Sequence, residues 1–168
     1  MIILVAGLPG SGKTFFAERL AQELDLVYIN SDQVRLALNA SGKYSPAERL
    51  LVYKQMLVQT TEAIEENRDI MVDATFFHHT MREMFIRLAD AYNVPIHVIE
   101  VVADEKLIRQ RLQTPRKYSE ADFAVYEKVR EDFEGITMPH LILESTNNNV
   151  DEMLKTAMRY INSDGKRS

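Results

Sequence analysis

Ile2-Ile3-Leu4-Val5-Ala6-Gly7-Leu8-Pro9-Gly10-Ser11-Gly12-Lys13-Thr14 is an apolar run that passes straight into a glycine-rich loop ending in Lys-Thr. A strand, the pattern G-x-x-x-x-G-K-[ST] and then a helix form the context of a phosphate-binding P-loop. The glycines let the backbone turn so that successive amides point at phosphate oxygens, and the helix that follows adds its N-terminal partial positive charge. Gly7, Leu8, Pro9, Gly10, Ser11, Gly12, Lys13 and Thr14 are therefore the expected contacts of a bound ATP. Lys13 reaches the β/γ-phosphates, and the Thr14 hydroxyl is the expected oxygen ligand of Mg2+. A dinucleotide site needs G-x-G-x-x-G. Here the order is G-x-x-G-x-G followed by lysine, which excludes it.

Working outward, the chain has 168 residues, of which 46% are hydrophobic, enough for the core of one domain. Its net charge of −5 and pI near 5.4 supply no overall basic face, so long nucleic acid is a disfavoured partner. The absence of cysteine removes disulfides, thiolate metal sites and cysteine nucleophiles, and fits a reducing, cytoplasmic setting. No transmembrane or signal segment is expected. The N-terminal apolar run is short, lacks a basic leader and reads as a buried strand.

Hydrophobic periodicity predicts alternating strands and helices. Phe16, Leu20 and Leu24, with Ala17 and Ala21, mark a helix after the P-loop, and Leu26 to Ile29 a second strand. Ser31 or Asp32 is expected to cap a short helix that Gly42 ends. Ser45-Pro46-Ala47-Glu48 reads as a capping box opening a helix to about Asn67, with Leu50, Tyr53, Leu57, Thr60 and Ile64 on its inner face. Ile70 to Val72 is a third strand and Thr80 to Tyr92 a helix. Val94 to Val102 is a fourth strand, and Asp104 caps the helix of Leu107, Ile108 and Leu112. Ser119-x-x-Asp122 signals a helix carrying Phe123, Tyr126, Val129 and Phe133, stopped by Gly135. Leu141 to Leu143 is a fifth strand, and the close 3.6 period from Val150 to Ile161 a final amphipathic helix. The expected fold is α/β: one domain over 1–168 with the three-layer P-loop NTPase fold. It has a five-stranded parallel sheet, helices on both faces, a lid at about 111–122 and an acceptor-side insertion at about 33–67.

Ligands of such sheets bind beyond the carboxyl ends of the strands. After the second strand come Asn30-Ser31-Asp32 and Arg35. The Asp32 carboxylate can accept a proton from a substrate hydroxyl, and Arg35 can hold the substrate or the moving phosphoryl group through its planar fork. The plain alternative is that Asp32 is an N-cap paired with Arg35 across one turn. Asp73 ends the third strand, where P-loop proteins place the acid that orients magnesium. Thr75, His78 and His79 follow on the same side, but histidine spacing, His97 and His140 included, does not suggest zinc. Arg109, Arg111, Arg116 and Lys117 surround the Thr114-Pro115 break. A mobile segment there can bring an arginine to the transferring phosphoryl group, and Arg111 and Arg116 are the candidates, against a solvated basic turn.

Gly7 to Thr14, Asn30-Ser31-Asp32-Gln33-Val34-Arg35, and Val72-Asp73-Ala74-Thr75 with Arg82 following resemble P-loop kinases of the group that includes the 5′-kinase domain of polynucleotide kinases, zeta-type toxin kinases, chloramphenicol phosphotransferase and seryl-tRNA kinase. This is an AAA-type ATP-binding kinase family. A looser match runs from the arginine segment into Tyr118 to Asp122 and Tyr126. The resemblance implies that Asp32 is a general base and that Arg35 contacts the acceptor phosphate. It also implies that the 33–67 insertion faces the P-loop, with Lys43, Tyr44, Arg49 and Tyr53 within reach of the acceptor.

The leading expectation is an ATP- and Mg2+-dependent phosphotransferase acting on a hydroxyl of a small-molecule or nucleotide-like acceptor. One alternative is a polynucleotide 5′-hydroxyl kinase, which calls for a basic groove around Lys43, Arg49, Lys54 and Arg82. Another is a regulatory ATPase without an acceptor. Its GTPase form needs Asn-Lys-x-Asp, which is absent, and a D-x-x-G just after a strand, whereas Asp132 to Gly135 ends a predicted helix.

Overall fold

Five short apolar segments pair in parallel in the computed structural model, which describes residues 1–114 and 121–164. They are β1 (Ile2–Ala6), β2 (Val27–Asn30), β3 (Ile70–Asp73), β4 (Ile96–Val102) and β5 (Leu141–Glu144). Their order across the sheet is β2-β3-β1-β4-β5, with β1 central. Its register pairs Val5 with Asp73, and Asp73 with Asn30 of β2, so the carboxyl ends of three strands come level. The helices are α1 (Lys13–Glu23), α2 (Ser31–Ala37), α3 (Pro46–Glu65), α4 (His79–Tyr92), α5 (Glu105–Leu112), α6 (Phe123–Glu131) and α7 (Val150–Asp164).

Strand alternation divides the core in two. Ile2, Leu4 and Ala6 of β1 pack with Val52, Tyr53 and Met56 of α3 and Phe85 of α4. Ile3 and Val5 face the other way, onto Phe16 and Leu20 of α1 and Leu154, Ala157 and Ile161 of α7. All of β1 is buried because both faces are covered, as expected of a parallel sheet. This is the α/β P-loop NTPase fold that the sequence implied.

Several boundaries differ from the sequence expectations. The cap of α2 is Asn30, whose side chain accepts from the amides of Asp32 and Gln33, rather than Ser31 or Asp32. The helix ends at Ala37, with Asn39 in the left-handed region at φ 53°, before Gly42 is reached. The capping box of α3 forms as expected, and Tyr53, Thr60 and Ile64 are buried on its inner face with Leu57 packed beside them, but Val52 and Met56 are buried too and Leu50 is 42% exposed. Pro95 lies outside β4, and its carbonyl accepts from the Ile2 amide. Helix α6 starts at Phe123 on the cap Asp122 and stops at Glu131, short of Phe133 and Gly135. Ser119 lies outside the described residues, as does the middle of the expected lid.

Candidate active site

The loop between β1 and α1 is as tight as its glycines suggest. A Cβ at Gly7 would lie 2.4 Å from the Val101 carbonyl oxygen of β4, so only glycine fits. Gly12 sits at φ 91° as the residue before α1 and gives that helix no side-chain cap, which leaves its first amides for an anion. Lys13, buried, begins α1. A second bracket comes from far away in sequence. Arg111 Nη1 donates to the carbonyls of Gly10 (3.2 Å) and Ser11 (3.1 Å) and to Ser145 Oγ (2.8 Å). Its Nη2 donates to the Thr146 carbonyl at 3.1 Å, and the Ser145 hydroxyl donates to the Ser11 carbonyl. Burial lowers the Arg111 pKa below the usual arginine value, and its partners are neutral oxygens.

Beside the loop, Asp73 at the end of β3 is fully buried. Its Oδ2 accepts from Tyr28 Oη (2.8 Å) and Asn30 Nδ2 (2.6 Å), and its Oδ1 has no partner among the described residues. Burial first, and then the Asp73 charge, push the Tyr28 hydroxyl far above the ordinary tyrosine range, so it remains a donor. A buried carboxylate oxygen left unpartnered is costly and marks a place for a ligand. A carboxylate oxygen of this kind is a hard donor of the type that could hold magnesium.

Asn30 links this cluster to α2. Its Nδ2 holds Asp73, while its Oδ1 accepts from the amides of Asp32 (2.9 Å) and Gln33 (3.1 Å). The Asp32 carboxylate is thereby spared from capping. No ion pair joins it to Arg35 among the described residues, so the plain alternative of a capping pair is not what forms. Arg35 is 8% exposed. Its Nη1 donates to the Lys43 carbonyl at 2.6 Å, its guanidinium lies 4.6 Å from the centre of the Tyr44 ring, and its Nε has no partner among the described residues.

Two cavities result. One, of about 470 Å³, is lined by Gly10, Gly12, Lys13, Thr14, Arg111 and Asn147 among others. The other, of about 240 Å³, is lined by Asp32, Arg35, Tyr44, Arg49 and Lys128 among others. Lys13 lines both. The Tyr53 hydroxyl, which accepts from the Phe76 amide at 3.1 Å, also reaches the second cavity, and burial raises its pKa above the ordinary range.

The remaining expectations divide. Arg111 is braced against the P-loop rather than carried on a separate arm, and Arg116 lies outside the described residues. Arg109 turns to Glu105 (3.7 Å) and the Phe123 ring (3.6 Å). The basic groove of Lys43, Arg49, Lys54 and Arg82 does not assemble. Arg82 is buried and holds the Phe76 and Gly135 carbonyls, Lys54 is exposed, and Arg49 lines the second cavity. Glu134, unremarked in the sequence, accepts from the His79 amide (2.6 Å) and meets Nδ1 of His79 (2.7 Å) and of His78 (3.1 Å). These contacts, the His79 amide foremost, hold its pKa at about 2. Tyr28, Asn30 as a cap, Lys128 and Ser145 also escaped the sequence reading. Of these only Asn30 left a signal, as an Asx residue immediately before a helix.

Residues 2–136 match the AAA domain family, and the chain belongs to it. No curated protein matches the chain. Among solved structures, the APS kinase of Mycobacterium tuberculosis in complex with AMPPNP and APS superposes with a TM-score of 0.73 at 17% identity, covering 96% of each chain. A sugar kinase from Janibacter sp. gives 0.73 at 13% identity, over 96% of this chain and 94% of that one. A gluconokinase from Sinorhizobium meliloti gives 0.64 at 13%, over 91% and 86%. At these identities the likeness is one of fold. No helix among the described residues is long and apolar enough to cross a membrane.

Proposed function

We propose that the chain is an ATP- and Mg2+-dependent phosphotransferase that moves the γ-phosphoryl group to a hydroxyl of a small-molecule or nucleotide-like acceptor. The observation that carries this reading is Lys13 lining two cavities at once, one walled by the P-loop and one by Asp32 and Arg35. A regulatory ATPase has no need of the second. ATP is held in the loop from Gly7 to Thr14, with Lys13 neutralising the β/γ-phosphates. Thr14 and Asp73 would hold magnesium, which would supply further neutralisation of the phosphate oxygens. Asp32 orients the acceptor hydroxyl and takes its proton as the new O–P bond forms and the bond from the γ-phosphorus to the β-phosphate's bridging oxygen breaks, releasing ADP. Arg35, already fixed by the Lys43 carbonyl and Tyr44, positions the acceptor. Arg111 acts here on the shape of the P-loop, and Arg116 is left as the candidate to meet the transferring phosphoryl group.

The size of the second cavity favours a small acceptor over a polynucleotide, as does the failure of the basic groove to assemble. An acceptor screen with γ-labelled ATP tests the reading, spanning nucleosides, 3′-nucleotides, sugars, antibiotics and 5′-hydroxyl oligonucleotides, with Lys13→Ala as the blank. Transfer to at least one small hydroxyl compound is expected. Acceptor-independent hydrolysis alone points to the regulatory ATPase.

A further inference from the structure

Lys13, Arg35, Arg49 and Lys128 line the second cavity beside Asp32, the one carboxylate among its described lining residues. In a chain of net charge −5 this local excess runs against the balance of the whole molecule. Cations gathered in one concavity repel one another and concentrate counter-ions. Of the other arginines, Arg87 pairs with Glu83, and Arg109 and Arg130 pair with Glu105, whereas Arg82 and Arg111 meet neutral oxygens. Among the described residues, the arginines of the cavity pair with no acid. Arg35, 8% exposed, contacts a neutral carbonyl and an aromatic ring and keeps an unpartnered Nε. Arg49 lies 5.0 Å over the Phe77 ring. Among the described residues neither Arg49 nor Lys128 makes an ion pair. Lys13 has its task with ATP, which leaves three cationic side chains for the acceptor.

We propose that the acceptor carries an anionic group, phosphate or carboxylate, besides its reacting hydroxyl, and that Arg49 of α3 and Lys128 of α6 clamp that group. The inference rests on the kinase reading above and narrows its substrate class. A planar guanidinium and an ammonium match either anion, whereas a neutral polyol leaves these charges partly desolvated and unpaired. The volume of about 240 Å³ lies below the roughly 300–1,000 Å³ of drug-sized sites. That favours a short hydroxy acid or a sugar phosphate. Because the two cations stand on separate helices, a shared anion also ties α3 to α6 and closes the cavity over the hydroxyl.

The test uses the full chain saturated with AMP-PNP, which prevents turnover. Calorimetric titrations compare matched sets: glycerol, glycerate and glycerol 3-phosphate; glucose, gluconate and glucose 6-phosphate; ribose and ribose 5-phosphate. The acid and phosphate members separate the two sources of charge. The expected result is that an anionic member of at least one set binds at least about tenfold tighter than its neutral parent, an advantage that shrinks with added salt. Arg49→Met and Lys128→Met should each weaken that binding about tenfold to a hundredfold while AMP-PNP affinity stays within about twofold, which also verifies folding. Lys54→Met, on the exposed side of α3, should change neither. Equal binding of neutral and anionic members, or none by any, overturns the inference. So does efficient phosphorylation of a neutral acceptor by both variants, which leaves the kinase reading intact. Anion binding that depends on Arg49 and Lys128 but yields no transfer with ATP upholds the clamp and overturns the kinase reading.

Discussion

The nucleotide-side cavity and the acceptor-side cavity share Lys13 but are built on opposite principles. The first is organised by one contiguous loop, Gly7 to Thr14, of which Gly10, Gly12, Lys13 and Thr14 line it, and whose conformation is set by glycine and by carbonyls held from outside by Arg111 and Ser145. The second is side chain, drawn from α2, the loop after it, α3, the turn after β3 and α6. Phosphates are alike in every nucleotide, so a backbone cradle serves and one contiguous motif encodes it. Acceptors differ, and recognising one takes polar groups from several elements held on a rigid frame. The difference teaches that the two halves should fail separately, except at the residue they share.

The largest effect is expected at that residue. Lys13→Ala should lower phosphoryl transfer by about a thousandfold or more, since it removes charge stabilisation at the transferring group. Steady-state assays with the acceptor found in the screen would read this, and retention of more than a tenth of wild-type activity breaks the idea that both cavities meet there. Next is Arg111→Met, which strips three carbonyl contacts and the Ser145 bond from the back of the P-loop. The KM for ATP should rise about tenfold with the acceptor KM unchanged, because only the backbone half is loosened. An equal rise in both constants means that the halves are not separable.

The smallest effect concerns the segment that follows α6. Glu134, accepting chiefly from the His79 amide and then from the His79 and His78 side chains, has its pKa lowered from 4.5 to about 2. A carboxyl whose folded-state pKa is depressed contributes stability that is complete above its unfolded value and is lost as pH falls through the folded one. The melting-temperature gap between the wild type and Glu134→Gln should therefore be full above pH 4.5 and close as pH falls toward about 2. Its exposure makes the gap small. A gap that widens on acidification reverses the sign and refutes the assignment. AMP-PNP affinity should not follow it, since the contact lies beside the acceptor half.

The same contrast governs what the sequence disclosed. The strand-to-helix passage at Ile2 to Thr14, the alternation of elements and the Ser45 capping box are local patterns, and each recurs in the fold. Asp32, Arg35 and Asp73 were expected from the rule that ligands gather after strands; Asp32 and Arg35 line one cavity, and Asn30 joins Asp73 to the Asp32 amide. What stayed hidden depends on distant partners. Arg111 meets Gly10 across 101 residues, Ser145 meets Ser11 across 134, and Tyr28 meets Asp73 across 45. On α3 the expected Tyr53, Thr60 and Ile64 are buried, but Leu50 was placed inside and Val52 and Met56 were passed over, because all three are equally apolar. Periodicity gives a stripe its spacing but not its angle to the sheet. Asn30 was overlooked as a cap because Ser31 and Asp32 beside it are equally good cap residues, and only the register with Asp73 decides among them.

The claim at the centre of this account is that Asp32 is the base of a phosphotransfer whose nucleotide is held elsewhere. Asp32→Asn keeps the shape and removes the charge, and Asn30, not Asp32, caps the helix, so α2 should stay folded. The decisive measurement pairs two readings on this one variant: AMP-PNP affinity by calorimetry and single-turnover transfer of the γ-phosphoryl group from labelled ATP to the acceptor. The account predicts affinity within about twofold of wild type and transfer slowed by about 10²- to 10⁴-fold. Transfer at the wild-type rate with affinity unchanged would contradict it.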